Sequence, residues 1–177
     1  MKLIKIIGIF AMLLLITPIA YAQTETVNAG ITSDSSLYGL DVMLDSLSLR
    51  FQLNNQARFE RSLEIAEERL AETEEMINQN KFEFAEQSRI QHQNMLNNAE
   101  EKLELLENED NQDFTRLKSR LEAHTQKIEQ VRERLQEKLQ NNQEAEQIMN
   151  QIQISVEATK EVLIQSEIDN ENRQGGK

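Results

Sequence analysis

Apolar residues recur three and four positions apart along most of the chain, the spacing of one face of an α-helix. Leu37, Leu40, Leu44, Leu47 and Phe51 form the first stripe, which predicts a short helix over about 36–53 behind the cap-forming cluster Ile31 to Ser36. Gly39 lies in its first turn and costs ~1 kcal/mol relative to alanine. Phe59, Leu63, Ala66, Leu70, Thr73 and Ile77 form a second stripe, and Ala85, His92, Leu96, Ala99, Leu103 and Leu106 a third. Phe114, Leu117, Leu121, His124, Ile128, Val131 and Leu135 alternate threes and fours without a slip, and Met149, Ile152, Val156, Thr159 and Leu163 resume in the same phase. Such alternation is the seam of a coiled coil or bundle.

Asparagine tolerates the left-handed backbone that closes a helix, so Asn54-Asn55, Gln79-Asn80, Asn108 to Gln112 and Asn141-Asn142 mark the turns. They predict helices over 55–79, 81–107, 112–140 and 143–168, each ~25 residues and roughly 38 Å long. Similar lengths and short connections predict antiparallel neighbours. The expected fold class is therefore all-α: an antiparallel bundle of about four long helices preceded by one short helix, with coiled-coil-like seams over 36–168. Because the heptad phase survives across Asn141-Asn142, one continuous helix over 113–166 stays open as an alternative. Residues 169–177 lack apolar side chains and read as a disordered tail.

Ahead of the helices, residues 1–22 have the form of a signal peptide. Lys2 and Lys5 precede the apolar run Ile6 to Ile16, Pro18 ends it, and Ala20-Tyr21-Ala22 supplies a small-x-small cleavage pattern. The expectation is an exported chain, extracytoplasmic or secreted, cut after Ala22, with 23–35 as a flexible leader. The alternative is an uncleaved anchor, for which the run is short of the ~20 residues a span needs; membrane contact is expected only in that case. The first 22 residues hold two lysines and no acid, so the chain from Gln23 carries 17 bases against 31 acids, a net −14.

The absence of cysteine excludes disulfides and thiolate-ligated metals, and five glycines with one proline argue against a sandwich or barrel. A formal charge of −12 argues against nucleic acid as a partner. Residues 60–75 hold seven acids and two bases, whereas 116–138 hold seven bases and four acids. Helices of opposite charge are thus expected side by side, with an acidic partner for the basic one as the alternative.

Candidate chemistry is sparse. If 81–107 and 112–140 form a hairpin, His92 and His124 lie at nearly the same height on the inner seam, with Glu67 or Glu68 near their level. They are weak candidate metal ligands, because the carboxylate-bundle signature needs Glu three residues before each His, and Arg89 and Leu121 stand there. The plainer reading is a pair of seam imidazoles sensitive to pH. No phosphate loop, nucleophile elbow or His-Glu-x-x-His pattern occurs. Glu67-Glu68, Glu74-Glu75 and Glu100-Glu101 are adjacent and point to different helix faces, so no acid–base dyad is expected. No enzyme activity and no cofactor is expected. Met43, Met76, Met95 and Met149 read as core filler, and of Phe82 and Phe84 only one faces the core well.

Two stretches resemble a known family. Ala29-Gly30-Ile31-Thr32-Ser33-Asp34-Ser35-Ser36-Leu37-Tyr38-Gly39-Leu40-Asp41 is similar to the AGITPDSPLYGLD opening of exported, mostly archaeal proteins catalogued as domain of unknown function 5667, with Ser33 and Ser36 in place of prolines. Leu63 to Glu72 resembles its LEIAEERLAE helix, and Lys81 to Glu86 its next segment. The resemblance covers about residues 29–107 and implies an exported helical domain, with no activity and no catalytic residue. Together these readings suggest an envelope interaction or structural module with a protein partner or self-association. The alternatives are a periplasmic-type chaperone or stress sensor for unfolded chains, and a metal or pH sensor using His92 and His124.

Overall fold

Asparagines mark three of the helix boundaries in a computed structural model that describes residues 29–106 and 111–175. Among these residues six α-helices follow one another: α1 Tyr38–Arg50, α2 Asn55–Asn78, α3 Phe82–Leu106, α4 Asn111–Arg134, α5 Gln136–Asn141 and α6 Gln143–Gly175. Asn54 starts α2 by accepting a hydrogen bond from the Ala57 amide at 2.7 Å. Asn80 closes it in the left-handed conformation, φ 58°. There the Asn80 amide bonds the Ile77 carbonyl at 3.0 Å and the Lys81 amide bonds the Met76 carbonyl at 2.8 Å, the two bonds of a Schellman turn. Asn142 is extended and caps α6, its side-chain oxygen accepting from the amides of Glu144 at 2.9 Å and Ala145 at 3.1 Å.

The chain therefore turns at Asn142, and the single helix over 113–166 is not formed. Six helices replace the expected five because the segment over 112–140 is interrupted at Leu135, where φ is −89° and ψ 2°. No glycine or proline causes this bend; it leaves both Leu135 and Leu139 in the core. At the other end α6 continues through Asp169 to Gly175, past the start of the expected disordered tail. Glu171, Arg173 and Gln174 are good helix formers, and the first breakers are Gly175 and Gly176. The signal segment 1–22, residues 23–28 of the leader and the turn 107–110 lie outside the described residues.

α2 and α3 form a close antiparallel hairpin, and α4 to α6 form a second. Successive long helices are antiparallel as expected, and this alternation makes the side-by-side pairs between the hairpins, α2 with α4 and α3 with α6, parallel. α2 runs beside α4, as the ascending series of ion pairs shows: Glu60 with Arg116 and Arg120, Glu67 with Lys127, and Glu74 with Arg134. Lys127 Nζ lies 2.5 Å from Glu67, and Arg134 grips Glu74 with two bonds of 2.6 Å. Each pair is partly exposed and contributes at most ~1 kcal/mol. As a set they select which helix the acidic face of α2 meets, as the charge distribution suggested. α3 runs beside α6, with Phe82 and Glu86 facing Glu144 and Ile148 across a shallow groove.

The core consists of the seam residues. Phe59, Leu63, Leu70 and Ile77 of α2 meet Leu96 and Leu103 of α3, Leu117, Leu121 and Ile128 of α4, and Ile152 and Val156 of α6, all essentially inaccessible to water. Burying each contributes ~1.5–3 kcal/mol. Met76 and Met149 are core filler as expected and Met95 packs against the core, whereas Met43 is 58% exposed. Phe82 and Phe84 both pack partly on the core, because Ser33 Oγ donates to the Phe84 carbonyl at 2.8 Å and covers that end of α3. Among the described residues no helix is long and apolar enough to cross a membrane.

The cap at Asn142 is open to direct test. Asn142→Ala removes the acceptor for two α6 amides, and a loss of about 1 kcal/mol is expected. A urea midpoint lowered at constant slope would show it; an unchanged midpoint would mean that the turn does not depend on this cap.

Candidate functional site

α1 is held to the bundle by its charged side. At ~100° per residue, Tyr38, Asp41, Asp45 and Leu49 share one side of this helix, and Leu37, Leu40, Leu44, Leu47 and Phe51 lie on the other. The side with the two aspartates faces α2, and Asp45 is the one residue of α1 that is fully buried. It meets Arg69 and Arg61, two turns apart on α2. Arg69, 1% exposed, donates to Asp41 at 2.6 Å and also to Asp45 and Glu72. Glu72 accepts from Ser88 of α3 at 3.0 Å. Arg61 Nη2 reaches the other oxygen of Asp45 at 3.0 Å, and its Nε reaches Ser48 at the same distance. The ring of Tyr38 lies 5.2 Å from the Arg69 guanidinium carbon.

Three carboxylates thus converge on Arg69, with Arg61 sharing only Asp45. Withdrawal from water and the surplus of negative charge push Glu72 up to about 7, against the pull of Arg69. The same carboxylates raise Arg69 further and keep it permanently charged. Burial and the charge on Glu72 also raise the Tyr38 hydroxyl. The sequence reading missed this cluster, although two signals were present. Asp41 and Asp45 stand four apart as the only acids of the first helix, and Arg61 and Arg69 are the only bases of the acidic stretch 60–75.

With its two aspartates turned inward, α1 presents apolar side chains to solvent. Leu37, Leu40, Met43 and Leu44 are each more than half exposed and Phe51 is 77% exposed. The outward face, which includes Ser36, Gly39, Ser46 and Arg50, carries no acid. This face is the candidate functional surface.

His92 and His124 meet as counting predicted. Their Nε2 atoms are 3.0 Å apart, their rings stack at 5.2 Å between centroids, and both side chains are fully buried. One imidazole donates from Nε2 and the other accepts, which puts the second proton on an Nδ1; neither Nδ1 has a hydrogen-bond partner. Burial holds both rings neutral: His124 is lowered to about 4, and His92 falls well below 6.5 with the added push of His124 and Arg89. Glu67 and Glu68 do not reach them, being drawn to Lys127 and Arg61. Among the described residues no three His, Asp or Glu side chains converge as a metal site would need.

Residues 30–142 match the family described as Domain of unknown function (DUF5667), and the chain belongs to that family. No curated protein and no solved structure matches the chain.

Two tests follow from the buried clusters. Arg69→Met leaves Asp41 without an ion pair, Asp45 with Arg61 alone and Glu72 with only the Ser88 hydroxyl, and a loss of about 3–5 kcal/mol is expected. Amide exchange should show α1 opening before α2 and α3; uniform protection would refute its role as the anchor. The second test is pH. The lowered histidine values mean stability that is present above pH 6.5 and lost as pH falls through about 4. Glu72, raised from 4.5 to about 7, has the opposite sign: its contribution is full below pH 4.5 and lost as pH rises through about 7. His92→Gln with His124→Gln should remove the acid-side loss in urea titrations, and Glu72→Gln the loss toward neutrality. Slopes identical to those of the unaltered chain would contradict both assignments.

Proposed function

We propose that this protein is an exported, non-enzymatic interaction module that binds through the outward apolar face of α1, with the bundle as its rigid mount. The carrying observation is the inversion of α1, whose ionic side is docked on α2 while Leu37, Leu40, Met43, Leu44 and Phe51 face water. A contiguous apolar stripe on a fixed helix is the form of a protein-docking surface. Export is supported by the charged start, apolar run and Ala20-Tyr21-Ala22 of the first 22 residues, and by the resemblance to exported, mostly archaeal proteins. A chaperone for unfolded chains would need a broad concave apolar surface, and this stripe is one helix wide. The facing imidazoles of His92 and His124 support a second reading, acid sensing inside the bundle, which concerns a different part of the molecule.

The test places a photoreactive residue at Met43 and, as a control, at Gln147 on the exposed side of α6, in the protein's own cell envelope. One dominant protein captured from Met43 and none from Gln147 is the expected result, on chains beginning at Gln23. Equal capture from both positions would refute the assignment to α1. A broad spread of unrelated chains would favour the chaperone, and an intact Met1 would make the protein an anchored one.

A further inference from the structure

The stripe on α1 has a form that fits a second copy of itself. Leu37, Leu40, Leu44, Leu47 and Phe51 keep strict three–four spacing over two heptads, the seam of a two-helix coiled coil and narrower than the face that packs a helix into a core. Read backwards, the spacing is the same pattern shifted by one step. An antiparallel pairing therefore sets Leu40 of one copy against Phe51 of the other and Leu44 against Leu47, and two-fold symmetry repeats both contacts.

Area and charge agree with that occupant. The exposed parts of Leu37, Leu40, Met43, Leu44 and Phe51 amount to roughly 600 Å² of apolar surface, at the upper limit of what monomers leave open. With the rim of Ser36, Gly39, Ser46 and Arg50 the face approaches the ~800 Å² per partner of a standard interface. A chain of net charge −12 repels its own copies, yet this face carries no acid, because Asp41 and Asp45 are turned onto Arg69 and Arg61. Two copies can meet here without placing like charges in contact.

We infer that the protein forms a two-fold symmetric dimer through antiparallel pairing of the α1 helices. This deepens the reading of α1 as a docking face and rests on it.

Sedimentation of the purified full chain from about 1 to about 200 μM tests the dimer. A reversible monomer–dimer equilibrium is expected. It should tighten as salt rises from about 20 to about 300 mM, because screening weakens the repulsion between acidic copies. Leu40→Glu with Leu44→Glu should weaken the dimer at least about tenfold while leaving helix content unchanged, since both side chains are exposed in the single copy. Should that variant fold poorly, the absence of native cysteine gives an independent measure: Leu44→Cys should oxidise to a covalent dimer, and Gln147→Cys should not.

A monomer at every concentration, or a dimer that survives the glutamates, overturns the inference. If the monomer still captures one foreign protein from Met43, the docking face stands and its occupant is not a second copy. If the monomer captures no protein but sediments with neutral phosphatidylcholine vesicles, the face contacts lipid and both readings fall. With neither, the face is not a docking surface.

Discussion

A guanidinium withdrawn from water needs carboxylates around it, and satisfying Arg69 fixes the orientation of α1. Arg69 lies on the inner side of α2, between the seam residues Ala66, Leu70 and Thr73. Glu72 on the same helix answers one side of it, and Asp41 and Asp45 must approach from outside the bundle. Removing the guanidinium would leave buried carboxylate charge uncompensated, at several kcal/mol. Burying the leucines of α1 instead would yield ~1.5–3 kcal/mol apiece only if their face could reach an apolar surface. α2 offers α1 two arginines, so the ionic side docks and the leucine stripe is left to face water.

This explains which parts of the structure were legible in the sequence. Helix positions were, because a seam of threes and fours recurs wherever a face is buried and the asparagine turns punctuate it. The pairing of α2 with α4 was legible in charge, and the short connections set each long helix antiparallel to the next, which leaves these two parallel. The meeting of His92 and His124 followed from counting outward from the turn. The break at Leu135 left no trace, since leucine suits a helix and only the local packing bends it. The direction of α1 was hidden for a different reason. Its stripe of leucines and its pair of aspartates both have helical spacing, and periodicity does not say which of two stripes faces inward. That was decided on another helix, by Arg61 and Arg69, which local reading does not connect to Asp41 and Asp45.

The family match ends at Asn142, the residue that caps α6. The matched portion therefore contains the inverted helix, the arginines that hold it and both histidines, but not the fourth long helix. α6 supplies Met149, Ile152 and Val156 to the core beside α3. Without some equivalent, the apolar inner faces of α3 and α4 would stand open. The segment beyond Asn142 thus completes the mount, while the surface assigned to binding lies wholly within the part that defines the family.

The two buried polar clusters differ in what they can do. Around Arg69 every carboxylate is met by an arginine or by Ser88 and only the Tyr38 hydroxyl lacks a partner, so the charges of this network favour one arrangement. The histidine pair leaves an Nδ1–H and a lone pair without partners, so its neutral form is only just tolerated and its charged form is opposed by Arg89 and Lys127. On α3, Ser88 and His92 are one turn apart, which places the rigid cluster and the labile one next to each other on the same helix. The labile pair joins α3 to α4, whereas the rigid cluster joins α1 to the α2–α3 hairpin. Acid that charges the imidazoles therefore loads the seam between the hairpins. Two neighbouring clusters on α3 thus serve different joints, one holding α1 to the α2–α3 hairpin and the other holding α3 to α4.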